Sequence, residues 1–202
     1  GFSGGDEPDG SGKFITALLR AAPVMEAVNE LVHSRQGLVG GICNGFQALV
    51  KTGLLPEGRF TDIKKDSLTL TLGTMGRHQS QLVTVRVAAT LSPWFSRYEA
   101  GSRYTLPISN GEGRFLCSPV QYEALAQNGQ IAAQYADPDG RPTMLMPYNP
   151  SGSRYAIEAL TSPDGRIMGR MGHSERMLAG LYQNLPTTGE DPLFLGAVDY
   201  YK

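Results

Sequence analysis

Apolar residues recur at helical spacing early in the chain, at Phe14, Ile15, Leu18 and Leu19, and predict a helix there. Pro23 cannot continue that helix but suits the start of a second one. Its Met25, Val28, Leu31 and Val32 share one face, and it ends near Gly37. The period then changes. Gly37-Leu38-Val39-Gly40-Gly41-Ile42 is short and apolar, as a buried strand is, and Phe46, Leu49 and Val50 open another helix that Gly53 stops. Alternation with period two marks strands at 67–72 and 81–87, and residues 104–109, 114–117, 131–135, 154–160 and 166–172 read as further strands. Residues 119–127 form a short helix with Tyr122 and Leu125 inward, while Asp137-Pro138-Asp139-Gly140 and Ser162-Pro163-Asp164-Gly165 are turns. Trp94 and Phe95 follow Pro93 in a packed loop. A last helix begins about Glu175 with Met177, Leu178 and Leu181, and the tail with Pro186, Pro192, Phe194 and Tyr200 packs loosely or docks on another part. Interleaved strands and helices predict an α/β domain with a central mixed sheet, helices on both sides and a site at the strands' C-terminal ends.

Composition narrows the function classes. A chain of 202 residues fits one domain, and 41% hydrophobic with 18% charged residues is a globular balance. A net charge of −1 gives no electrostatic case for nucleic acid or an anionic membrane. No apolar run approaches a membrane span and no signal peptide is visible. Two cysteines, Cys43 and Cys117, do not make a disulfide framework, which fits a reducing cytoplasm. No metal-ligand spacing is present, so no metal is expected. Gly10-Ser11-Gly12-Lys13 fails as a phosphate loop, because its first glycine would fall on Glu7 and Phe14 replaces the required Ser or Thr.

The chemistry concentrates at Gly41-Ile42-Cys43-Asn44-Gly45. A strand, a sharp turn and a helix in this order form the elbow that lifts a nucleophile off a sheet, with Cys in the place of Ser. The flanking glycines are expected to be needed because side chains would collide in the turn. The helix N-terminus is expected to favour the Cys43 thiolate. A buried structural Cys beside a glycine turn is the bland alternative. His173-Ser174-Glu175, leaving a strand, supplies what a cysteine nucleophile needs: a base and a carboxylate to orient it. His33 and His78 sit in polar surroundings without a nearby carboxylate partner of this kind and read as surface residues, and Cys117 reads as inert packing.

The runs GGICNGFQALVKTGLLP, GFSGGDEPDGSGKF, ISNGEGRF and MGRMGHSER resemble the glutamine amidotransferase domain of phosphoribosylformylglycinamidine synthase. They are closest to the form in which that domain ends one large polypeptide, and the resemblance covers nearly the whole chain. It implies a class I glutaminase of flavodoxin-like fold, with Cys43 as nucleophile, His173 as base and Glu175 as orienter. It also implies an oxyanion hole made by the Asn44 backbone N–H and one donor from the opening loop, with Gly1 the first candidate. Gln47, one helical turn beyond Cys43, would bond the substrate, and Asn110, Gly111 and Glu112 would lie at the glutamine pocket. Family members begin with a strand and helix before the glycine loop. This chain opens inside that loop at Gly1, so residues 1–202 read as the amidotransferase domain lacking its first strand and helix, a fragment of a larger protein. The implied partners are glutamine and synthase domains of the same polypeptide, with ATP and Mg expected there rather than in these residues. The rival readings are a free-standing cysteine hydrolase or peptidase of the same fold, and a catalytically silent regulatory module.

Overall fold

The computed structural model describes residues 11–183 and 191–202. Its frame is a six-stranded mixed sheet in the order β1-β8-β7-β6-β3-β4, built from β1 (Val39–Ile42), β3 (Gln79–Val87), β4 (Arg103–Asn110), β6 (Ile131–Tyr135), β7 (Ile157–Thr161) and β8 (Ile167–Arg170). β1 and β8 run parallel, with Val39 opposite Ile167 and Ile42 opposite Arg170, and the other pairings are antiparallel. A separate two-stranded ribbon joins β2 (Thr69–Thr71) to β5 (Arg114–Leu116). The sheet curls until β4, at the far end of the strand order, meets the residues that leave β1 and β8. His173 N–H donates to Pro107 O at 2.8 Å, and the Cys43 thiol faces Ser109 O at 3.6 Å.

Helices cover both faces, as the alternation of elements predicts. On one face lie α1 (Lys13–Leu19), α2 (Ala22–Asn29), α3 (Asn44–Thr52), α4 (Leu54–Glu57) and α5 (Pro119–Gln127). Phe46, Leu49 and Leu55 pack there against Ile157, Leu160 and Ile167. α3 lies close because Gly169 has no side chain: a Cβ there would meet Phe46 Cδ2 at 2.1 Å. On the other face, Trp94, Phe95 and Leu193 pack against Val87, Ala133, Ala159 and Met168. Burying apolar area on both faces is the main favourable contribution to such a fold. No helix among the described residues is long and apolar enough to cross a membrane.

Three local expectations are corrected. Residues 175–181 do not form a helix; Ser174–Arg176 is one tight turn, and Leu178 and Leu181 are exposed. Only Met177 of that apolar set finds a buried place, so the periodicity has no surface to pack on. The tail instead ends in a docked helix, α6 (Leu193–Asp199). Leu193 is fully buried, Gly196 sits against the Pro93 and Trp94 carbonyls, and Tyr200 and Tyr201 bond to Gln36 O and Leu38 N. The strand expected from residue 154 starts at Ile157, because Tyr155 and Ala156 turn the chain at φ 53° and 58°.

Candidate active site

Cys43 is at once the last step of the β1–β8 ladder and the cap of α3. Its N–H donates to Arg170 O at 2.8 Å, and its carbonyl accepts from Gln47 N–H at 3.1 Å. Serving both elements forces the backbone to φ 55° and ψ −110°, where a non-glycine residue is strained. Gly41 is needed for this elbow, since a Cβ there would lie 2.7 Å from the Gly45 carbonyl carbon and oxygen. Gly45 is not needed for that reason: a Cβ there would meet nothing within 4 Å among the described residues, contrary to the expectation for both glycines.

The sulfur is buried, and its acceptors are Ser109 O at 3.6 Å and Asn44 Oδ1 at 3.9 Å. Burial pushes the thiol pKa above its ordinary value, although the Asn44 N–H and the Arg176 charge pull the other way. The expected thiolate is therefore corrected. The dipole at a helix N-terminus is a local effect of tenths of a kcal/mol to about 1 kcal/mol, and desolvation outweighs it here. A neutral thiol in this place needs a base.

The residue expected to serve as that base is placed by β8 and the turn after it. His173 is fully buried, and its Nδ1 lies 2.6 Å from Glu175 Oε1. With the carboxylate accepting, Nδ1 carries the hydrogen and Nε2 keeps its lone pair. Nε2 is buried without a hydrogen-bond partner among the described residues. Burial raises the Glu175 pKa, but the hydrogen bonds it accepts from His173 and from its own backbone N–H help hold the carboxyl below its ordinary value. Cys43 and His173 both lean on the end of β4, two residues apart at Ser109 and Pro107.

The remaining candidates divide. Asn44 is buried, with its side chain against Cys43 Sγ and its N–H in the first turn of α3. Gln47 is fully buried and its Nε2 donates to Glu112 O at 2.7 Å, so this amide ties α3 to the 110–113 loop. Gly111 O accepts from Gly73 N–H, and Glu112 offers its carbonyl to Gln47. Asn110 is buried with both ends of its side-chain amide unpartnered. The loop does not close a hairpin, because β4 and β5 belong to different sheets. Gly1 lies outside the described residues. Cys117 is buried with its thiol pushed up to about 11 by desolvation.

Sequence reading missed two groups. His78 is exposed, but its Nε2 lies 2.9 Å from the hydroxyl of Ser109, the residue whose carbonyl faces Cys43. Only the β3–β4 register, which pairs Ser80 with Ser109, brings them together. Arg170 and Glu158 form a fully buried ion pair directly behind His173. The available signal was an arginine inside an otherwise buried strand. Among the described residues, no group of three His, Cys, Asp or Glu side chains could hold a metal.

This combination of an elbow cysteine and a carboxylate-oriented histidine agrees with the comparison to known proteins. The description of the CobB/CobQ-like glutamine amidotransferase domain matches residues 1–201. The chain belongs to this family. A relative of this amidotransferase domain in Synechococcus sp., the phosphoribosylformylglycinamidine synthase subunit PurQ, is 39% identical over 160 residues, covering 79% of the chain and 61% of that protein. The PurQ subunit of Synechococcus elongatus is 32% identical over 183 residues, covering 91% of the chain and 71% of that protein. The amidotransferase chain thus spans about three-fifths of the first relative's length. A solved structure of PurLQS from Thermotoga maritima superposes over 100% of the chain and 77% of its own with TM-score 0.69 at 22% identity, which supports the α/β fold.

Proposed function

We propose that this domain is the glutaminase of a phosphoribosylformylglycinamidine synthase. The observation that carries the reading is that Cys43, in a strained elbow, and His173, whose Nδ1 is fixed by Glu175 and whose Nε2 has no hydrogen-bond partner among the described residues, both rest on the end of β4 at Ser109 and Pro107. Glutamine binds with its side-chain amide against Cys43. The sulfur attacks the amide carbon as His173 Nε2 takes the thiol proton, and Glu175 steadies the resulting imidazolium. The Asn44 N–H and a donor from the opening loop, with Gly1 the first candidate, hold the negative oxygen. One such donor is worth about 3 kcal/mol in the transition state. His173 returns the proton to the departing amine, releasing ammonia and leaving a glutamyl thioester on Cys43. Water, deprotonated by His173, then releases glutamate and restores the thiol.

Asn110, buried with an unused amide at the mouth of the 110–113 loop, bonds the glutamine; Gln47 holds that loop through Glu112. Ammonia passes to synthase domains, joined in one polypeptide as the sequence resemblance implies. There ATP and Mg serve the conversion of formylglycinamide ribonucleotide to formylglycinamidine ribonucleotide in purine biosynthesis. The test is a glutamine-mimicking chloroketone. It should alkylate Cys43, with protection by glutamine, and leave Cys117 unmodified. Equal labelling of both cysteines, or no protection, refutes the assignment.

A further inference from the structure

Two buried charges lie behind the His173 turn and take no part in the proton transfers. Arg170 and Glu158 are both 0% exposed. Arg170 Nη2 and Nε reach the two carboxylate oxygens of Glu158 at 3.0 and 3.3 Å, a two-pronged pair. Each member then grips the turn. Gly172 N–H donates to Glu158 Oε1 at 2.7 Å, and Arg170 Nη1 donates to Ser174 Oγ at 2.8 Å. The residues on either side of His173 are thus held by one ion pair. The guanidinium is seated in turn: Nη2 donates to Tyr104 OH at 2.7 Å, Nη1 lies 3.5 Å from Asp191 Oδ2, and the Phe95 ring faces its central carbon.

Fold stability does not account for such a pair. Replacing a buried ion pair by well-packed apolar residues is often neutral or stabilising, because desolvation offsets the attraction. What the pair supplies is direction. A guanidinium presents its donors in a fixed planar fork, which an apolar side chain cannot do. Direction is needed here because the β7–β8 ladder stops. The Met171 N–H to Glu158 O bond, at 3.2 Å, is its last backbone link, and the Gly172–Ser174 turn then leaves the sheet. Beyond that point the histidine backbone is fixed to the sheet by its bond to Pro107 O.

We propose that Arg170 and Glu158 are positioning residues that hold the 172–174 turn so that His173 Nε2 faces Cys43. This rests on the glutaminase reading above. The test uses the full-length protein carrying Arg170→Lys, Glu158→Gln, or the apolar pair Arg170→Met with Glu158→Leu. Arg170→Lys keeps the charge but loses the fork. A displacement of the base of about 1 Å lowers kcat for glutamine hydrolysis by about 100-fold. KM stays near wild type, because neither residue touches glutamine. The apolar pair melts no lower than wild type yet keeps the kcat deficit. The Nδ1–H proton resonance of His173 moves in Arg170→Lys and stays in place in Lys65→Ala, an exposed control. Wild-type kcat in the apolar pair, a deficit confined to KM, losses that only track a lowered melting temperature, or an unmoved resonance would each overturn the proposal. Failure of the glutaminase reading is separate: the wild-type protein would then release no glutamate, while the resonance would still report whether the ion pair orients the imidazole.

Discussion

The two glycines around Cys43 make opposite predictions for one added methyl. In Gly41→Ala the new Cβ lies 2.6 Å from Leu49 Cδ1 and 2.7 Å from the Gly45 carbonyl carbon and oxygen. Leu49 can yield by turning its side chain. The Gly45 carbonyl cannot, because it belongs to the first turn of α3. Overpacking of this kind costs about 1–3 kcal/mol. At roughly 2–4 °C per kcal/mol for a chain of this size, the melting temperature should fall by about 2–12 °C. The relief comes from moving α3, which carries the Asn44 N–H and the Cys43 backbone, so kcat should also drop, by about 100-fold for a shift of about 1 Å. In Gly45→Ala the methyl, on a helical residue, meets nothing within 4 Å among the described residues. Alanine is favoured there by about 0.5–1 kcal/mol, so the melting temperature should rise by about 1–4 °C. Thermal unfolding of both variants beside the wild type, with glutamate release measured on the same samples, reads both quantities. Equal destabilisation by the two substitutions, or a Gly41→Ala protein with wild-type melting and kcat, would refute the packing argument.

Two carboxylates give pH tests of opposite sign. Glu175 has a folded-state pKa below 4.5, so its ionised form contributes stability above the unfolded value that is lost as pH falls through the folded one. The melting temperature of wild type should exceed that of Glu175→Gln at neutral pH, and the gap should close in acid, below about pH 4; a gap constant with pH counts against the hydrogen bond to His173. Asp191 runs the other way: burial pushes its carboxyl from 3.8 up to about 6. The stability it contributes below 3.8 is lost as pH rises through about 6, so Asp191→Asn should gain on wild type over that range, leaving Arg170 and Glu158 as a neutral pair. A difference that shrinks as pH rises would be the contrary result.

What the sequence made legible was local. The elbow at Cys43 needs only a strand run, a small residue and a helical pattern in succession, and His173 with Glu175 needs only a two-residue spacing, so both could be read along the chain. What it hid depends on partners far away. The thiol's pKa is raised by burial, which outweighs the Asn44 N–H at the head of the helix that follows, and part of its surroundings, Ser109 O, comes from 66 residues away. Gln47 could be read as lying one helical turn from Cys43 and as bonding the substrate, but its acceptor in the structure, Glu112 O, comes from a loop 65 residues away. The helix expected after Glu175 failed for the same reason that α6 was missed. Apolar spacing shows that a segment could bury a face, while only the tertiary fold decides that Trp94 offers one to Leu193 and Phe194 and that nothing among the described residues covers Leu178.

The curl of the sheet has a consequence for the timing of synthesis. Cys43 leaves β1, His173 leaves β8, and the strand both lean on is β4 at the opposite end of the sheet. More than half of the chain lies between β1 and β8, so their pairing is among the longest-range closures in the fold. Long-range pairings of this kind are slow to form, and domains fold as units while they emerge from the ribosome. No partial chain that stops short of Arg170 can bring Cys43 and His173 to the seam. On the glutaminase reading, ammonia release would thereby be confined to a domain whose sheet is complete, and a nascent chain would not waste glutamine.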